Sequence, residues 1–291
     1  MKNILLLGKG YIGLSLSDYL VSKSDIKSNI YSKKDLNYLD FNTLNKYLQQ
    51  NQSIKIDYII NCAGYTGRPN VEGCENDKET CWKYNVKLPI ILTEIASYWN
   101  IPIIHISSGC VYTGYEKDFS EDDEPNFGIY NKDSSFYSKT KHACELSLKN
   151  SNSYIFRIRM PFSYKSSERN YIDKILKYDN LISYKNSLTN IDDLNEFIYK
   201  FISLENKPEY GIYNVTNQGY ATAKQIVEIL KKYNLQNKNW KFLDQNQMNF
   251  KVSRSNCVLS TEKIKKLNLE LPNIYYSMEN SIKNYDNLHT I

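Results

Sequence analysis

No run of like charge is long enough to form a nucleic-acid-binding arm, and the net charge of +5 is dispersed along 291 residues. That argues against a nucleic-acid partner, while a mild positive balance suits a small polyphosphorylated ligand. No apolar stretch approaches the ~20 residues that a membrane helix requires. Met1 to Leu7 leads directly into a strand and a glycine turn, so neither a signal nor a transit peptide is expected. Cys62, Cys74, Cys81, Cys110, Cys144 and Cys257 lack C-x-x-C spacing, and the three histidines do not cluster near them. No metal site is therefore expected, and reduced thiols in a cytoplasmic protein are the plain reading. No internal repeat is visible. With 41% hydrophobic and 24% charged residues the chain is no candidate for disorder. The 26 tyrosines are scattered and fit the codon bias of an AT-rich genome rather than any chemistry.

What is present is an alternation of strand-like and helix-like stretches, which predicts α/β architecture with a doubly wound parallel sheet of Rossmann type. Lys2–Leu7, Tyr58–Asn61, Pro102–Ser107 and Tyr154–Arg159 are short apolar runs. Helical spacing covers Ile12–Val21, Phe41–Gln50, Val86–Trp99 and Ser135–Lys149, with Pro89 placed in a first turn, where its missing N–H costs little. After Pro161 the pattern loosens. Helices are expected at Tyr171–Tyr178 and Asp192–Leu204, a strand at Gly211–Val215, and helices capped by Thr222 and by Ser260 or Thr261. We expect residues 1–161 to form the dinucleotide-binding part. Residues 162–291 would form mainly a smaller substrate lobe, with segments near 185–215 returning to the main sheet.

Gly8-Lys9-Gly10-Tyr11-Ile12-Gly13 fits G-x-G-x-x-G between a strand and a helix. Glycines there permit a tight turn and close approach of a pyrophosphate to backbone N–H groups at a helix N-terminus. The acid that usually meets the ribose 2′-OH is not found after Asn29–Tyr31, where Ser32-Lys33-Lys34 follows. Lys33 and Lys34 either accept the 2′-phosphate of NADPH or are solvated loop lysines. NADPH is the reading taken, with NADH as the alternative. Asn61-Cys62-Ala63-Gly64 ends another strand with residues small enough for the cofactor to pass, so Asn61, Ala63 and Gly64 join the cofactor-site candidates.

Tyr137 and Lys141 stand four apart, on one face of the expected helix. The ammonium should lower the Tyr137 pKa and make it a usable proton donor and acceptor. Ser107-Ser108-Gly109-Cys110 follows an apolar strand, at the sheet edge where open α/β folds bind ligands. Glu121-Asp122-Asp123-Glu124-Pro125 is read as a solvated acidic turn. His105 is read as a satisfied core histidine, and His142 as facing away from Tyr137.

The glycine turn, the N-C-A-G segment, the S-S-G-C-V-Y strand end and Tyr137/Lys141 together resemble the extended short-chain dehydrogenase/reductases. Gly67-Arg68-Pro69-Asn70-Val71, Phe136–Lys141, Arg157–Pro161 and Arg254-Ser255-Asn256 narrow the resemblance to the bifunctional 3,5-epimerase/4-reductases of UDP-L-rhamnose synthesis. It extends more loosely to dTDP-4-dehydrorhamnose reductase and GDP-fucose synthase. The resemblance implies that Tyr137 protonates the C4 oxygen as NADPH delivers hydride, with Lys141 holding the nicotinamide ribose and Ser108 binding the carbonyl. Cys110 and Lys174 would exchange protons at C3 and C5, both α to the ketone. Arg68, Asn170 and Arg254 are candidates for the sugar or the UDP diphosphate. The expected product is UDP-L-rhamnose and the expected assembly a homodimer. The alternatives are a 4-reductase that needs a separate epimerase and a non-catalytic NADP-binding regulator.

Overall fold

The computed structural model describes residues 1–236, 238–248 and 250–285. The chain begins with β1 (Lys2–Leu7), α1 (Tyr11–Val21), β2 (Ile26–Tyr31), α2 (Phe41–Gln50) and β3 (Tyr58–Asn61). Next come α3 (Gly73–Asn76), α4 (Lys78–Trp82), α5 (Leu88–Tyr98), β4 (Ile103–Ser108), α6 (Phe136–Ser147) and β5 (Ser153–Ile158). Then follow α7 (Tyr171–Lys177), β6 (Asn180–Leu181), α8 (Ile191–Ser203), β7 (Gly211–Asn214) and β8 (Asn217–Gln218). The last elements are α9 (Ala223–Lys232), β9 (Lys241–Phe242), α10 (Glu262–Lys265), β10 (Leu271–Asn273) and α11 (Ile274–Lys283).

Six strands form one sheet in the order β2-β1-β3-β4-β5-β7. Every neighbouring pair in it is parallel. Strands β3 and β5 are buried at every residue because helices cover both faces, which is why they are largely apolar, with Asn61, Ser153 and Arg157 as the buried polar exceptions. One face packs Leu16 and Leu20 of α1 and Phe197 and Phe201 of α8 against Ile4, Leu6 and Phe156. The other packs Leu44 and Leu48 of α2 and Leu92 and Ile95 of α5 against Leu5, Leu7 and Ile59. The chain runs outward from β1 to β2 and then crosses back to β3. That reversal opens a crevice at the strands' carboxyl ends, where such sheets take their ligands.

The helix expected at Val86–Trp99 differs in its start. It begins at Lys78, where the Asp77 side chain accepts from Thr80 N at 3.1 Å. It then passes through a π turn at Lys83–Lys87 before α5, with Pro89 in the first turn of α5. Proline has no N–H for the usual ladder, and the wider turn ahead of it absorbs that gap.

The second half packs around Ile172, Ile175, Val227, Leu230, Met278 and Ile282. Trp240 joins them, and its indole N–H donates to Ile175 O at 2.8 Å. Thr222 and Gln225 form a reciprocal capping box on α9. The cap expected at Ser260 or Thr261 is weaker. Thr261 holds the cap position without a side-chain bond, and Ser260 Oγ accepts from Glu262 N at 3.4 Å. No helix among the described residues is long and apolar enough to cross a membrane.

Candidate active site

At the switch point, β1 delivers the glycine turn into α1. Gly8 has φ +108°, a conformation that glycine adopts freely, and a Cβ there would lie 2.6 Å from Ala63 N. A Cβ on Gly13 would meet Gly8 O at 2.0 Å, so helix and strand pack at glycine distance. Gly10 differs, since a Cβ there would meet nothing within 4 Å, and Gly10 caps α1 without a side-chain bond. That open space adjoins the first N–H groups of α1 at the positive end of the helix, a cradle that fits a dinucleotide pyrophosphate. Tyr11 and Ile12 supply two of those groups.

Lys33 and Lys34 lie exposed just past β2. An acidic side chain does stand just beyond them. It is Asp35, whose carboxylate accepts from Ser32 N at 2.8 Å and pairs with Lys9 at 2.8 Å. These hydrogen bonds hold its carboxyl at about 2. Asn61 is buried and spends its side chain inward, accepting from Ala63 N at 3.0 Å and meeting His105 Nδ1 at 3.2 Å. It shapes the turn rather than facing a ligand. Ala63 is half-buried beside it and Gly64 is exposed.

Ser135 caps α6, accepting from Ser138 N at 3.1 Å, and so sets the helix that carries Tyr137 and Lys141. Lys141 Nζ lies 5.7 Å from the Tyr137 ring centroid and 3.9 Å from where a Cβ on Gly64 would stand. Ser108, at the end of β4, hydrogen-bonds Tyr137. The three side chains converge. The lowering of the Tyr137 pKa expected from Lys141 is corrected, because burial among Cys74, Cys81 and Phe136 pushes the phenol up instead. Cys110 adds to the rise, and the Ser108 hydrogen bond only partly offsets it. Tyr137 is thus held protonated near neutrality. Asn85, in the π turn, donates to Thr140 Oγ1 at 3.1 Å and accepts from Tyr65 N at 2.8 Å, fixing this wall. Sequence reasoning passed over it because the helix register there is irregular.

Cys110 is half-buried, and its N–H donates to Ser108 Oγ at 3.2 Å. Lys174, which would read as an exposed helix lysine without the resemblance, is half-buried on α7. Burial, then Arg169 and Arg254, lower its pKa, and Cys110 lies close enough to oppose them. Arg254 is paired with Glu72 at 3.0 Å. Arg68 lies exposed at the rim.

Asn170 departs from expectation. It is fully buried, and its amide donates to Ser163 O and Lys165 O at 2.8 Å each. Its carbonyl accepts from Ile172 N at 3.0 Å, so it caps α7 and orients Lys174 instead of reaching a ligand. Arg159, passed over as part of a motif, is buried behind Cys110 and donates to Gly109 O, Ser255 Oγ and Asn186 Oδ1.

The residues read as structural have partners. His105 meets Thr93 Oγ1 at 2.9 Å. His142 accepts from Ile129 N at 3.3 Å and stacks edge-on with Tyr130, away from Tyr137. The acidic turn is less solvated than expected, since Glu121 accepts from Asn214 N at 2.7 Å and Asp123 from Ser120 N at 2.7 Å.

The RmlD substrate binding domain model matches residues 1–287. A bifunctional dTDP-4-dehydrorhamnose 3,5-epimerase/dTDP-4-dehydrorhamnose reductase of Arabidopsis thaliana is 33% identical over 243 residues, 80% of this chain and 77% of that protein. A trifunctional UDP-glucose 4,6-dehydratase/UDP-4-keto-6-deoxy-D-glucose 3,5-epimerase/UDP-4-keto-L-rhamnose-reductase of the same plant is 33% identical over 81% of this chain. The match spans only 35% of that larger protein. The crystal structure of the L780 UDP-rhamnose synthase from Acanthamoeba polyphaga mimivirus superposes with a TM-score of 0.85 at 23% identity, covering 97% of this chain and 99% of that one. A dTDP-4-dehydrorhamnose reductase from Bacillus anthracis, solved with NADP, superposes at 0.80 with 20% identity, covering 98% and 99%. The chain belongs to the RmlD family, that of the nucleotide-sugar dehydrorhamnose reductases.

Proposed function

We propose that this chain reduces the C4 ketone of a nucleotide-linked 4-keto-6-deoxy sugar with NADPH, NADH being the alternative. The observation that carries the reading is the convergence of Ser108, Tyr137 and Lys141 beside the open cradle at Gly10. Residues 1–161 hold the dinucleotide and residues 162–291 mainly the sugar nucleotide, with UDP as the proposed carrier.

The turn of Gly8, Gly10 and Gly13 with the N–H groups of Tyr11 and Ile12 would hold the dinucleotide pyrophosphate, with Gly8 and Gly13 shaping it by close packing; Ala63 and Gly64 would lie beside it, and Lys33 and Lys34 would take the 2′-phosphate. NADPH supplies the hydride. Tyr137, kept protonated by burial, gives its phenolic proton to the C4 oxygen, and Ser108 hydrogen-bonds the same oxygen. Lys141 stabilises the phenolate that results. Arg254 and Arg68 bind the diphosphate.

Epimerisation at C3 and C5 by the same chain is the second reading. The observation favouring it is the half-buried Lys174, whose pKa burial lowers and on which Cys110, a second proton-transfer group from a different element, acts electrostatically. Pure protein given the 4-keto-6-deoxy nucleotide sugar and NADPH tests both readings. Reductase alone predicts that NADPH is consumed only after a separate 3,5-epimerase is added. The bifunctional reading predicts turnover without one. Tyr137→Phe should cut reduction by about 10²–10⁴-fold while dinucleotide binding persists. Undiminished reduction by that variant would remove Tyr137 from the mechanism.

A further inference from the structure

We propose that Glu72 is a placeholder for the substrate's diphosphate, pairing with Arg254 until a nucleotide sugar displaces it. This rests on the nucleotide-sugar reading above. Arg254 stacks over Phe250, with its guanidinium carbon 4.5 Å from the ring centroid, which fixes the plane of the fork. Its contact with Glu72 is single-pronged, from Nη2 to Oε1 at 3.0 Å. Both side chains are only 20% exposed, so the pair is partly desolvated. A guanidinium matches a phosphate with two parallel N–H bonds, a better fit than the one it makes with Glu72.

The surrounding charge points the same way. Lys174 is half-buried, and Arg169 and Arg254 add to the burial that lowers its pKa. Lys174, Arg169 and Arg254 thus act on one another electrostatically, and Glu72 is paired with Arg254, a setting that favours an added anion. A sugar-nucleotide diphosphate carries about two negative charges at neutral pH. Glu72 also belongs to a stiff loop. Its N–H donates to Asn70 Oδ1 at 2.9 Å, and Arg169 Nη2 donates to Gly67 O at 2.9 Å. A Cβ on Gly73 would lie 2.4 Å from Arg68 N. The loop backbone is therefore held close, and the Glu72 side chain is the part that can yield.

A mere support for Arg254 would have the same contacts, but removing it would act with the opposite sign. UDP and dTDP serve as probes, titrated calorimetrically into the NADPH-loaded wild type, Glu72→Gln and Arg254→Gln. The amide keeps an oxygen to accept from Lys251 N, which Glu72 Oε1 now does at 3.2 Å, and Glu72→Ala provides a second variant if the first melts early. The proposal expects the Kd for the diphosphate to fall about fivefold in Glu72→Gln, and the KM for the nucleotide sugar to fall with it. Unchanged or weaker binding in that variant overturns the placeholder. Arg254→Gln should weaken both probes by tenfold or more. If instead Arg254→Gln leaves UDP and dTDP binding intact, the placing of the diphosphate on Arg254 fails, and this proposal with it. Weaker binding in both variants keeps that placing and rejects the placeholder alone.

Discussion

At the scale of single residues, the site depends on ionisable groups moved from their ordinary range by burial. Tyr137 is raised by desolvation and stays a proton donor. Lys174 is lowered by desolvation and by Arg169 and Arg254, so its neutral, proton-accepting form appears at a lower pH than for an ordinary lysine. His105 shows the same physics outside the chemistry. Buried between Asn61 and Thr93, it is pushed from 6.5 down to about 3. The unfolded chain binds a proton on this imidazole below about 6.5, whereas the folded chain binds it only near 3. Its contribution to stability is therefore complete above pH 6.5 and is lost as the pH falls toward 3. Denaturant midpoints measured across that window should decline with falling pH, and His105→Gln should flatten the decline. An equally steep fall in the variant would place the acid sensitivity elsewhere.

At the scale of elements, the β1–α1 turn separates two jobs that glycine can do. Gly13→Ala forces a Cβ to within 2.0 Å of Gly8 O and should destabilise the fold by about 1–3 kcal/mol. Gly10→Ala meets nothing within 4 Å and has an extended backbone, φ −98° and ψ −171°, which alanine adopts freely. Its melting should shift by less than about 1 kcal/mol, while NADPH binding, followed by fluorescence, weakens tenfold or more. A Gly10→Ala protein that binds NADPH normally would mean that the cradle is not the dinucleotide site.

This turn was legible in the sequence because its signal is local, a strand, three spaced glycines and a helix. Tyr137 and Lys141 were legible for the same reason, through i,i+4 spacing on one helix. The role of the Asp35 carboxylate was not legible because it reaches Lys9 across the turn, a contact that leaves no local signal. The early start of the helix before α5 was missed because Pro89 reads as a first turn, and nothing local announces a π turn.

At the scale of the whole molecule, the site lies where the two halves of the chain meet. Glu72 pairs with Arg254, 182 residues away, and Arg159 with Ser255, 96 residues away. Such partners leave no periodic trace, so Glu72 was invisible as a functional residue, and Asn170, a candidate for the sugar or the diphosphate, proved to be a buried cap of α7. The main sheet was legible because parallel strands covered on both faces are apolar runs. The pairs β6–β9 and β8–β10 were not, since strands of two or three residues carry no pattern and their partners lie far along the chain. The family is shown by similarity along nearly the whole chain, and the reaction is proposed from the convergence of Ser108, Tyr137 and Lys141.

Hydride transfer to the sugar ketone at that convergence is the proposed reaction. The most direct measurement supplies NADPH deuterated on the nicotinamide carbon that donates hydride, together with the 4-keto-6-deoxy nucleotide sugar and a 3,5-epimerase, and reads the product by NMR. We predict one deuterium at C4 of the sugar in wild type and its loss in Tyr137→Phe. Oxidised dinucleotide without deuterium at C4, or no consumption of NADPH at all, would contradict it.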